Sequence, residues 1–68
     1  MTAIGYPILR YFDYEHLPPE LGVISRDFHL LAHRLADQLP AGPEVSAGLR
    51  HLLEAKHCMV RAALEGSA

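Results

Sequence analysis

From Leu21 onward the chain repeats apolar residues at helical intervals: Leu21, Ile24, Phe28, Leu31 and Leu35 are separated by 3, 4, 3 and 4 positions, and Leu39 extends the row. Such a row is one face of a helix packed against another helix, since a half-buried strand would alternate at every second residue. The opposite face, Arg26, His29, His33 and Asp37, is polar. Proline is tolerated in a first turn but not inside a helix, so Pro19 and Pro40 bracket a first helix expected over residues 20–39. Beyond Pro40-Ala41-Gly42-Pro43, proline suits the first helical position and Glu44 the positive end of the helix dipole. A second helix is expected over residues 43–65, with Gly66 as its stop. It carries two apolar rows side by side: Val45, Leu49, Leu52, Met59 and Ala63, then Leu53, Val60 and Leu64. A stripe this wide is more than one partner helix covers, which predicts contact with a hairpin mate and with another subunit. The short link makes the two helices antiparallel neighbours.

The segment before Pro18-Pro19 has a different rhythm. If extended, residues 8–16 place Ile8, Arg10, Phe12, Tyr14 and His16 on one side and Leu9, Tyr11, Asp13 and Glu15 on the other. Residues before proline favour extended conformations, so residues 1–19 are expected to form an arm lying across the hairpin or a neighbouring subunit. The fold class that follows is all-α: one domain over residues 1–68, an antiparallel two-helix hairpin with an N-terminal aromatic arm, assembled as a homo-oligomer.

Composition explains why assembly matters. With 68 residues, half of them apolar, and one cysteine, the chain has no intrachain disulfide to lean on. A chain of this size buries only about 60% of the surface its unfolded form exposes, and small scaffolds draw on disulfides, metals or partner subunits. Two-domain enzymes are excluded. Six Lys and Arg against eight Asp and Glu give a formal charge of −2, without the basic excess of a footprint on DNA, RNA or an anionic membrane. The sequence shows neither a secretory signal nor an apolar run of about 18 residues that would span a bilayer. A soluble, cytoplasmic protein is expected, Cys58 being unpaired in a reducing compartment.

Catalytic and metal-binding patterns are weak. His29 and His33 stand four apart, a spacing that can present two zinc ligands, but Leu30 replaces the glutamate a zincin needs, so a solvated polar face is the expectation and no metal is assigned. Cys58 and His57 are adjacent and point about 100 degrees apart on a helix, so they do not form a nucleophile and base. No cofactor or catalytic residue is assigned. Arg50, Glu54, His57 and Arg61 form a polar stripe, either a salt-bridged exposed face or a surface from which Arg61 reaches an anion while Glu54 holds a neighbouring arginine.

The aromatic residues carry more. Tyr6, Tyr11, Phe12 and Tyr14 crowd into nine residues, leaving only Phe28 elsewhere. Near Arg10 and Arg26 such rings offer stacking faces and cations for a small anionic ligand: a base stacks on an aromatic ring for about 1–3 kcal/mol, and arginine grips phosphate with two parallel hydrogen bonds. The competing reading is that the rings anchor the arm to the core.

Several runs together resemble a known family. The arm Tyr11-Phe12-Asp13-Tyr14-Glu15-His16-Leu17-Pro18-Pro19, the helix opening Val23-Ile24-Ser25-Arg26, the turn Gly42-Pro43-Glu44 and the run from Leu52 to Ala63 are similar to the phage cyclic-nucleotide sponges, the anti-CBASS and anti-Thoeris proteins with a helical-hairpin domain. The resemblance covers residues 9–64. It implies a homohexamer that binds cyclic di- and trinucleotides made by bacterial immune synthases and sequesters them, uncleaved, in the cytoplasm of the infected host. Phe12 and Tyr14 would stack on bases and Arg26 would contact phosphate between protomers. Arg61 would serve a second, trinucleotide pocket, and Tyr11, His16 and Ser25 complete the implied ligand-binding set. Cys58-Met59-Val60 stands where many relatives carry Trp-Ala-Asn. The alternative is a small helical protein-interaction module that has no nucleotide ligand and docks a partner on the broad apolar face of its second helix.

Overall fold

The computed structural model describes residues 6–67, Ser67 by its backbone alone; residues 1–5 of the expected arm lie outside the described residues. The described chain is all-helical. A short 3₁₀ helix, Pro7–Phe12, precedes two long helices, α1 (Pro19–Gln38) and α2 (Pro43–Ser67), which pack against each other. The 3₁₀ helix packs on both. No helix among the described residues is long and apolar enough to cross a membrane.

Prolines set the helix boundaries. Pro19 occupies the first turn of α1 with Glu20 beside it, where a missing N–H costs nothing and a negative charge meets the dipole. At the other end Leu39, which precedes Pro40, turns extended with φ −100 and ψ 148, as the clash with the following proline ring requires. The start of α2 is closed by the Ser46 amide donating to the Gly42 carbonyl at 3.2 Å. Its far end differs from expectation. The helix runs through Gly66, and no described glycine adopts the positive φ of a left-handed cap.

The arm is the main correction. Residues 7–12 form a 3₁₀ helix, so the alternation assigned to an extended strand does not exist there. A 3₁₀ helix has three residues per turn, and side chains three apart eclipse one another. That period stacks Tyr6, Leu9 and Phe12 on one side, all packed into the core, with Pro7 supplying a preset φ at the start. Leu9 and Phe12 are buried there, whereas Arg10 and Tyr11 face outward.

The core consists of Leu9, Phe12, Ala32, Ala36 and Leu49, with Tyr6, Ile8, Phe28, Val45, Leu52 and Leu53 partly buried around it. On α1 the buried positions are Leu21, Gly22, Ser25, Ala32 and Ala36, so that of the expected row Leu21 alone is fully buried. Small side chains let helix backbones approach closely. The larger Ile24, Phe28, Leu31 and Leu35 flank this line half-buried, and Leu39 is exposed. Two polar contacts tie the arm down. The Gly42 amide donates to the Tyr6 hydroxyl at 3.3 Å, and Lys56 Nζ of α2 donates to the Tyr11 carbonyl at 2.6 Å.

Candidate functional site

Between the 3₁₀ helix and α1, residues 13–18 turn back over the start of α1. The Leu17 amide donates to the Tyr14 carbonyl at 3.1 Å, which closes the turn. Tyr14 then packs edge-on against His29, ring centroids 5.2 Å apart. Tyr14, whose carbonyl oxygen faces Gly22, also lines an open groove of about 320 Å³ together with Glu15, Leu17, Pro19, Gly22, Val23 and Arg26. The sequence-predicted Tyr14 and Arg26 thus share one concavity. Arg26 is exposed on α1.

The other predicted residues scatter. Phe12 has 0% exposure and its ring fills the core, so it offers no face to a ligand in this protomer; the physical reason is the 3₁₀ period that turns it inward with Leu9. Ser25 is likewise 0% exposed, and its Oγ has no hydrogen-bond partner. Tyr11 is 53% exposed, but it does not line the groove; its ring carries the Arg10 guanidinium at 5.2 Å. His16 is exposed on the turn, away from the groove lining. Arg61 lines a separate hollow of about 220 Å³ with Leu17, Lys56, His57 and Val60, and its Nη2 lies 3.5 Å from Cys58 Sγ. Leu17 is common to both concavities. On the exposed stripe of α2, Glu54 pairs with His51 at 3.3 Å rather than with an arginine.

The histidine pair also departs from the solvated face expected of it. His29 and His33 are half-buried, their rings 4.3 Å apart, because the arm folds over this side of α1. His29 Nδ1 is 3.9 Å from Asp13 Oδ1, too long for a hydrogen bond. His29 Nδ1 and His33 Nε2 have no hydrogen-bond partner, like Ser25 Oγ four residues before. Among the described residues no three His, Cys, Asp or Glu side chains come together in an arrangement that could hold a metal ion.

One buried polar position escaped the sequence pattern. Lys56, the chain's single lysine, is only 7% exposed. Burial pushes its pKa below the ordinary 10.5, with the Asp13 carboxylate pulling the other way. It spans the gap between α2 and the arm that carries Tyr14. The usable signal was position: Val45, Leu49, Leu52, Lys56 and Val60 fall on one helical stripe, so the lysine interrupts an otherwise apolar line.

Removing an unsatisfied buried hydroxyl returns its desolvation cost. Ser25→Ala is therefore expected to leave thermal stability unchanged or raised by up to about 1 kcal/mol, and to leave unaltered the affinity for any ligand that the neighbouring groove takes. A melting curve and a titration on the same variant check both parts, and a clear loss of affinity would restore Ser25 to the binding set.

No protein family, curated protein or solved structure matches this chain.

Proposed function

We propose that this protein binds small cyclic oligonucleotides of the kind made by bacterial immune synthases and holds them without cleaving them, as a phage anti-defence protein in the host cytoplasm. The observation that carries the reading is that an aromatic residue, Tyr14, and an arginine, Arg26, line one open groove. Stacking and phosphate pairing are the two interactions a nucleotide needs, and neither requires a reactive group. One groove offers one ring and one arginine. A cyclic dinucleotide has two bases and two phosphates, which suits two copies of the groove brought together across a two-fold axis.

That arrangement needs a homo-oligomer, with a hexamer of hairpins as the assembled form. Support comes from apolar surface that the protomer leaves open: Val23, Leu30, Leu39, Met59 and Leu64 are exposed, and Leu35, Leu39, Val45, Leu49 and Leu52 line an apolar hollow of about 260 Å³ at the link end of the helices. Second copies of the chain cover these positions in the proposed assembly. Light scattering distinguishes this from a module that docks a different protein, which would leave the isolated chain monomeric. Arg61 and the hollow beside Leu17 serve a trinucleotide in the same scheme.

Calorimetric titration with a panel of cyclic di- and trinucleotides is the direct test, and absence of heat with every member at micromolar protein would end the proposal. Given binding, Tyr14→Ala is expected to weaken cyclic dinucleotide affinity by about tenfold per lost stack, and Arg26→Ala by a similar or larger factor. Light scattering should report an unchanged oligomer in both. Ligand recovered intact after heating the complex is the outcome that separates sequestration from turnover.

A further inference from the structure

We propose that Glu15 makes the groove selective for guanine, accepting hydrogen bonds from the edge of a base that Tyr14 stacks and whose phosphate Arg26 holds; the inference rests on the sequestration reading above. The groove has two charged lining residues of opposite sign, Arg26 and Glu15. They do not pair with each other, and among the described residues neither belongs to an ion pair. The exposed Glu15 carboxylate is hydrated while the groove is empty, and a ligand that covers it must replace that water with donors. An ionised carboxylate has only acceptors, so it repels the phosphate end and must meet the base end.

Of the common bases, guanine alone presents two N–H donors side by side, at N1 and at the exocyclic amine, and these match the two oxygens of one carboxylate. Adenine places its N1 lone pair next to a single amine donor, so one contact is favourable and its neighbour repulsive. Cytosine has the same donor beside acceptor pattern, and uracil's one N–H is flanked by carbonyls. Chain order supplies the proximity. Glu15 follows Tyr14 in the turn closed by the Leu17 amide on the Tyr14 carbonyl, and both residues line the same groove. Tyr14 is fixed against His29, whereas Glu15 is exposed and can swing to the base without disturbing the fold.

The test is calorimetry on the full chain with cyclic diguanylate, cyclic diadenylate and the cyclic di-inosine analogue, which keeps the N1 donor and lacks the exocyclic amine. Wild-type protein is expected to bind the diguanylate about tenfold or more tightly than the diadenylate, with the inosine compound between them. Glu15→Gln trades one acceptor for a donor at constant size, and should weaken the diguanylate about tenfold while leaving the diadenylate equal or tighter. An unchanged melting temperature shows that the fold is intact. Equal wild-type affinity for the two purine ligands, or a Glu15→Gln loss shared equally by both, overturns guanine selection and leaves sequestration standing. Binding of none of the three, nor of any other cyclic nucleotide, overturns both.

Discussion

Phe12→Ala is expected to unfold the protein or bring it to the edge of unfolding. The ring is fully buried in the small core with Leu9, Ala32, Ala36 and Leu49. Truncating a buried phenylalanine costs about 3–5 kcal/mol in lost transfer energy and cavity. A core in a chain of this size rarely supplies more than about 3–5 kcal/mol in total. Loss of helical circular dichroism at room temperature, or a steep fall in the urea midpoint, is the expected reading. Phe12→Leu keeps an apolar filler and should remain folded. A Phe12→Ala protein that melts like wild type and fails only in ligand binding would show that the ring is a stacking face after all.

Lys56→Met is expected to destabilise the protein by about 0.5–1.5 kcal/mol, the net worth of a typical hydrogen bond, because desolvation of the ammonium offsets part of what its charge adds. Methionine keeps the apolar stem against α2, so the deficit reports the bond from Nζ to the Tyr11 carbonyl. For a domain of this size each kcal/mol moves the melting temperature by about 4–8 °C. The pH dependence gives a second signature. Burial lowers the folded-state pKa of Lys56 below 10.5. Between that lowered value and 10.5 the unfolded chain therefore holds more protons than the folded one, and stability rises with pH across the window. Below the folded pKa both states are charged, and this contribution is at its minimum. The difference in stability between wild type and Lys56→Met should widen as pH climbs through the window. A gap that stays constant or narrows would mean that the ammonium is not held in a desolvated position. Under the proposed function, affinity for a cyclic dinucleotide should fall with Lys56→Met only as far as the arm loosens, since Lys56 does not line the Tyr14 groove.

The two helices were legible because their signals are local: prolines at both starts, a proline after the first, and apolar residues three and four apart. The arm was misread because two periods coexist in it. A strand alternation from Ile8 to His16 competes with the three-residue period of Tyr6, Leu9 and Phe12, and burial against two helices favours the second. The same ambiguity decided the candidate site. Phe12 and Tyr14 sit on one side of an imagined strand, yet the 3₁₀ helix ends at Phe12, and the turn that follows presents Tyr14 alone. Arg26, which the resemblance singled out at the opening of the first helix, lines the same groove as Tyr14. Ser25, one residue earlier, points inward, as a rotation of about 100 degrees per residue allows.

By itself the sequence determined where helices start and stop, since proline geometry and side-chain periodicity act within a few residues and need no partner. It also determined that the aromatic residues would gather at one end of the chain. Only the tertiary structure decided which of those rings became core and which became surface, and that a lone lysine would be buried to hold the arm. Those outcomes depend on which face of a short helix meets α1 and α2. That choice is settled by summed burial over residues far apart in the chain, and no local pattern records it.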